Sequence, residues 1–282
     1  MPAVFVLVWS TGFIVARYGM PNAPPMTFLA LRYALSIACF VPWIWLARLA
    51  WPRGRMAAFH LAVTGLLMQA GYLGGVWAAV KLGMGAGLIA LIVGLQPLLT
   101  AIWISSRGGS VSRLQWLGLA LGLGGLVLVV SHKLGAGQEA SVATVALGVL
   151  ALASITCGTL YQKRHVASCD VRTALTVQLM AALVVTLPLA LLEPEAVRWN
   201  PEMLGAMAWS VLVLALGGNS LLYLLIQRGA ATAVASLMYL VPPTTAVMAW
   251  ILFGESITTA TVVGTAMTAV GVALLVQKGR PA

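Results

Sequence analysis

Ten stretches of about 20 apolar residues follow one another through this chain with only short gaps between them, and nothing else constrains its fold as strongly. They occupy residues 3–19, 25–47, 57–79, 86–106, 113–131, 143–164, 171–192, 203–226, 233–254 and 258–277. Each is long enough to cross a hydrocarbon layer of about 30 Å as an α-helix, a form that satisfies its own backbone hydrogen bonds there. The widest gaps, around 131–142 and 193–202, leave no room for a soluble domain. An all-α integral membrane protein of ten transmembrane helices is therefore expected. The charge content agrees, since 8% of residues are Asp, Glu, Lys or Arg against about a quarter in soluble domains. The net charge of +10 sits in the gaps, where it orients helices rather than recruiting nucleic acid.

Two spans are broken near their middles. In residues 87–106, GLIALIVGLQPLLTAIWISS, Pro97 lacks a backbone donor and crowds the carbonyl four residues earlier, leaving Val93 without a helical partner. In residues 233–254, AVASLMYLVPPTTAVMAWILFG, Pro242 and Pro243 do the same to Met238 and Tyr239. A freed carbonyl in hydrocarbon has to be answered by protein, water or a solute. Proline-broken spans at corresponding places in two halves point to a transport site, with Pro97, Pro242 and Pro243 as its helix-break and gating positions.

The halves do correspond. A constant shift of 146 residues carries Gly12 onto Gly158, Pro42 onto Pro188, Gly71 onto Gly217, Gly83 onto Gly229, Pro97 onto Pro243, Gly118 onto Gly264 and Gly125 onto Gly271. Residues 1–131 then form a first five-helix repeat, 132–142 a linker and 143–282 a second repeat of one transport unit. Because five is odd, the second copy enters from the opposite face, giving two inverted repeats. The side that holds both termini carries eleven Lys and Arg residues and the other side four, which puts both termini in the cytoplasm. No basic stretch or cleavage site marks the first span as a signal peptide, so it is expected to stay. The GxxxG pairs Gly71–Gly75 and Gly118–Gly122 read as close helix contacts.

In an inverted repeat the site lies at midplane between the copies, so symmetry and helical spacing nominate its lining. Ser10 maps onto Thr156 and Trp77 onto Tyr223. Asn219 and Tyr223, four apart, share a helix face, as do Gln69 and Tyr72; Gln96 and Tyr239 flank the broken turns. These substrate-binding candidates describe an aromatic chamber with a few uncharged hydrogen-bonding groups, suited to a flat apolar side chain with a small polar head. Ordinary interhelical packing competes for Trp77, Tyr223 and Tyr239. Trp9, Trp45, Trp51, Trp103 and Trp199 read as membrane-interface residues. Arg32, about two turns inside its span, either braces backbone carbonyls, reaches outward or meets a substrate. His60, His132 and His165 lie near span ends, and the cysteines Cys39, Cys157 and Cys169 lack metal-ligand spacing and read as reduced packing residues.

The chain resembles the EamA-type branch of the drug/metabolite transporter (DMT) superfamily. The resemblance rests on residues 9–13 (WSTGF), Pro25 to Arg32, the Pro97 and Pro242–Pro243 spans, and Gly254-Glu255-Ser256. Within the family it is most similar to YddG-like aromatic amino-acid exporters. The resemblance implies export of a small-molecule substrate through a central cavity by alternating access, in the lipid bilayer of the bacterial inner membrane. It further implies no catalytic residue, no cofactor, no metal, no nucleic acid and no required partner protein, the unit being a monomer or homodimer. A missing intramembrane Asp, Glu or His points to facilitative transport, with proton-coupled drug or metabolite export as the alternative. An intramembrane enzyme is the alternative of a different class, but no histidine lies at midplane to activate a serine.

Overall fold

The computed structural model describes residues 2–106, 113–135, 140–166, 169–218, 221 and 240–277. All regular structure among them is helical. α1 (Pro2–Gly19) is followed by α2 (Pro25–Leu46), whose first proline stands where a missing N–H costs nothing. The third span is one long helix with a changed middle: α3 (Arg55–Gly65), a π-helical turn (Leu66–Gly71), then α4 (Tyr72–Lys81). The fourth is split into α5 (Ala86–Val93) and α6 (Gln96–Ser106). α7 (Arg113–Gly135), α8 (Val142–His165) and α9 (Val171–Leu191) are unbroken. α10 (Pro201–Ala208) runs into a second π-helical stretch (Trp209–Gly218), and α11 (Val241–Phe253) and α12 (Thr259–Gln277) close the described chain.

Six helices among the described residues are long and apolar enough to cross a membrane, and four shorter apolar ones accompany them. The helices fall where hydropathy places the spans, with two differences of detail. α7 continues to Gly135, past the expected boundary at 131, because His132 and Lys133 in its last turn complement the helix dipole. Pro97 is the second residue of α6, so the break lies just before it, at Gly94 and Leu95, and the proline restarts a helix rather than interrupting one. Pro242 likewise stands in the first turn of α11. Pro42 and Pro188, by contrast, lie inside α2 and α9.

Glycines set the tightest helix contacts. α7 packs along α12, and a Cβ on Gly125 would fall onto the Gly264 carbonyl, one on Gly271 onto that of Gly118. Between these, the Thr268 hydroxyl donates to the Gly122 carbonyl at 3.3 Å. On Gly158 of α8 a Cβ would meet Met68 at 2.6 Å, and on Gly12 of α1 it would meet Leu214 at 3.9 Å. α2 lies against α9, α4 against α8, and α5 against α11. The glycine pairs expected from GxxxG spacing are thus helix contacts, with Gly71 on Ser154 and Gly75 on Leu147 and Ala151.

At one end of the bundle, polar groups tie helices early in the chain to residues that follow α9. Glu193, just after α9, accepts from the N–H groups of Met26 (3.0 Å) and Thr27 (2.8 Å), capping α2. Glu255 does the same for α5, accepting from Ala86 at 2.7 Å and Gly87 at 3.2 Å. Lys81 pairs with Glu195 at 2.6 Å and donates to the carbonyl of Met20. Asn200 donates to Asn22 at 2.7 Å.

Candidate functional site

A cavity of about 500 Å³ is walled by α1, α2, the π turn and α4, α8, α9 and Leu214 of the second π stretch. Its mouth opens between the end of α8 and the start of α9, where Gln162, Lys163, Val166, Cys169 and Val171 form the rim and Lys163 is exposed. Along α9 the wall follows one helix face, Val171, Ala174, Leu175 and Gln178, the spacing of a single stripe. The far end is closed by Trp77, fully buried and stacked on Phe28 with ring centroids 4.3 Å apart. That end is the one tied by Glu193, Glu195 and Glu255.

The wall is apolar and aromatic, with Trp9, Phe13, Met68, Tyr72 and Trp77, interrupted by a few polar groups: Arg32, Gln69 and Gln178. Tyr33 fixes the backbone here by donating from its hydroxyl to the Gln69 carbonyl at 2.7 Å. At the rim, Asp170 caps α9 and forms a two-pronged contact with Arg172, at 3.0 and 2.9 Å. The Arg172 hydrogen bonds hold the Asp170 carboxyl below its usual range, while burial, then the Asp170 charge, push the Cys169 thiol up. The guanidinium of Arg172 also lies over the Trp43 ring at 5.2 Å.

The sequence-derived candidates divide. Gln69, Tyr72 and Trp77 are on the cavity wall. Ser10 and Thr156 are buried but off it, Thr156 returning its hydroxyl to the Leu152 carbonyl at 2.7 Å within its own helix. Gln96 also lies off the wall and donates to Thr159 at 2.9 Å, joining α6 to α8. Gly94 approaches Pro242, and Pro242 and Pro243 line a much smaller pocket with it, so the two break points touch each other rather than the large cavity. Asn219, Tyr223 and Tyr239 lie outside the described residues.

Three wall residues were read otherwise or not singled out. Trp9 lines the cavity instead of sitting at a membrane interface, unlike Trp45, Trp51 and Trp199, which are exposed. Cys169 is a rim residue rather than packing. Gln178 went unnamed, although the shift of 146 residues places it on Arg32, and a polar residue at both positions related by that shift is the signal that finds it. His60, whose Nδ1 lies 2.7 Å from the Tyr161 hydroxyl, stacks on His165 at the end of α8, a contact between span ends.

Known proteins with transporter names resemble this chain along most of its length. The chain is 25% identical over 267 residues to a "Probable amino-acid metabolite efflux pump" of Salmonella typhimurium, covering 90% of this chain and 86% of that protein. It is 25% identical to the "Uncharacterized inner membrane transporter YedA" of Escherichia coli, over 87% of this chain and 80% of the other. A solved crystal structure, 19% identical in sequence, superposes over 100% of this chain and 97% of its own with a TM-score of 0.67, which shows a shared fold. The model of the EamA-like transporter family matches residues 3–131 and again 142–277. This chain belongs to the EamA-like transporter family, and with it to the drug/metabolite transporter superfamily.

Proposed function

We propose that the protein exports small metabolites, foremost amino acids with aromatic or other large apolar side chains, across the bacterial inner membrane by facilitative alternating access. The observation that carries this reading is the aromatic cavity of about 500 Å³, open at one end and closed by buried packing at the other. A metabolite-sized site of that kind, apolar with a few placed polar groups, is what such cargo needs. The name of the Salmonella relative supports the amino-acid assignment.

Ten spans in two inverted five-helix repeats, 1–131 and 143–282 about a linker at 132–142, explain the contacts. Shifting by 146 residues exchanges the pair Gly12–Leu214 with Gly158–Met68, and the pair Gly118–Gly271 with Gly264–Gly125. The two family matches support the same division. With both termini in the cytoplasm, as the Lys and Arg count favours, the cavity faces the cytoplasm and the tied end faces out. Export then requires the halves to rock, closing the Cys169 rim and parting the Glu193, Glu195 and Glu255 contacts. Asn219, Tyr223 and Tyr239 complete the lining in this proposal, and Pro97, Pro242 and Pro243 mark where the two broken spans pivot on each other.

Facilitation rather than proton coupling is supported by how the carboxylates are used. Glu193 and Glu255 cap helices, and Glu195 and Asp170 are ion-paired, so none of these four stands in the cavity as a carrier of protons. Counterflow in proteoliposomes tests the whole reading. Liposomes loaded with unlabelled phenylalanine should transiently accumulate labelled phenylalanine or tryptophan, and not lysine or aspartate. Absence of counterflow for every amino acid would defeat the export assignment. Uphill transport driven by an imposed pH difference and abolished by an uncoupler would defeat facilitation alone.

A further inference from the structure

Arg32 is the anomaly of the cavity. It lies on α2 seven residues beyond Pro25, about 10 Å along the helix. It is 9% exposed, lines the cavity, and its Nε has no hydrogen-bond partner. An unpaired guanidinium at that depth is costly, because a charge removed from water needs an opposite charge or a full set of acceptors. The chain has six carboxylates in all. Glu193 and Glu255 cap α2 and α5, Glu195 pairs with Lys81, Asp170 pairs with Arg172, Glu202 is exposed in the first turn of α10, and Glu139 lies outside the described residues. None of the five described ones lines the cavity.

The rest of the described wall carries no negative charge. Gln69, Tyr72 and Gln178 offer neutral donors, and Trp77 and Phe13 offer apolar rings. A planar guanidinium flanked by neutral donors suits a carboxylate, which it can bind through two parallel hydrogen bonds. The same wall has no described anion with which to hold an ammonium.

From this we infer that Arg32 anchors the carboxylate of the transported molecule, and that the cavity selects an apolar-bodied carboxylate whether or not it bears an ammonium group. The inference rests on the export reading and sharpens it: 2-oxo acids with aromatic side chains are substrates alongside the amino acids, and amides of those amino acids are not. Charge neutralisation at Arg32 is then part of loading, since the bound carboxylate supplies the partner that the protein withholds.

Counterflow of labelled phenylalanine in proteoliposomes of the full chain, competed by phenylpyruvate or by phenylalaninamide, tests this without any mutation. Phenylpyruvate should compete within a few-fold of phenylalanine, and the amide about tenfold more weakly or less, since a charge-assisted bidentate contact is lost. Arg32→Gln should lower phenylalanine counterflow about tenfold or more, with Arg32→Lys retaining part of it as a single-point charge. An amide that competes as well as the acid, or an Arg32→Gln protein that transports at the wild-type rate, overturns the inference while leaving amino-acid export in place. Transport of phenylpyruvate without phenylalanine removes the amino-acid reading and upholds the anchor. If wild-type protein carries neither, thermal stabilisation by phenylpyruvate that Arg32→Gln abolishes upholds the anchor, and no stabilisation of the wild type overturns it. Should Arg32→Gln fail to fold, the acid-against-amide comparison on the wild type decides alone.

Discussion

At the scale of single residues, Trp77 and Cys169 mark the two ends of the cavity. Trp77 is both wall and core, stacked on Phe28, so its truncation to Ala costs about 3–5 kcal/mol of stability whatever it does to cargo. Trp77→Phe keeps the stack and separates the roles: thermal unfolding in detergent should stay within a few degrees of the wild type while counterflow of tryptophan falls. Cys169 reports the mouth. In a Cys39→Ala, Cys157→Ala background, an impermeant maleimide should label it in inside-out vesicles, not right-side-out ones, and saturating substrate should protect it. Because its thiol titrates above the usual range, its labelling should rise about tenfold per pH unit from pH 7 to 8, the deprotonated form being the nucleophile. Labelling from the outside only would reverse the proposed orientation. The structure puts both Trp77 and Trp9 on the cavity wall, and sequence nominated only the first, because composition gives a tryptophan's depth in a membrane and not the direction in which its helix face points. Arg32 and Gln178 escaped pairing for a related reason: the offset is carried by identical glycines and prolines, and these two residues are not identical.

At the scale of elements, the spans were legible because a hydrocarbon crossing needs only length and apolar content, which sequence displays directly. The two π-helical stretches were not. Neither Leu66–Gly71 nor Trp209–Gly218 differs in composition from its α-helical flanks, so the widened turns come from the packing around them. The offset of 146 residues nevertheless carries the first into the second. The break at Gly94 was assigned to Pro97 because proline is the stronger signal, whereas the chain turns where a glycine lets Pro242 come close. Neighbouring glycines on α7 supply a test of the seam with α12. A Cβ at Gly124 would meet only the Met267 methyl at 3.5 Å, so Gly124→Ala should leave thermal stability unchanged. At Gly125 it would strike the Gly264 carbonyl, and Gly125→Ala should cost about 1–3 kcal/mol by forcing the helices apart.

At the scale of the whole molecule, the two carboxylate caps at the closed end, Glu193 on α2 and Glu255 on α5, both come from late in the chain, and this bears on how the protein is made. The N-terminus of α2 is capped by a residue synthesised 166 positions after Thr27. At roughly 5–20 residues per second of translation, the first span pair waits on the order of 8–33 s for Glu193 to emerge. α5 waits longer still, since Glu255 follows Gly87 by 168 positions. The first half therefore enters the membrane with helix ends that it cannot finish by itself. Residues 1–135 expressed alone should be degraded or readily proteolysed, and co-expression with residues 140–282 as a separate chain should restore protease resistance; a first half that is equally resistant alone would show that the ties contribute nothing to its completion. α2 and α5 are thus obligatorily late in maturing, because both wait for caps supplied by residues that follow α9 and α11.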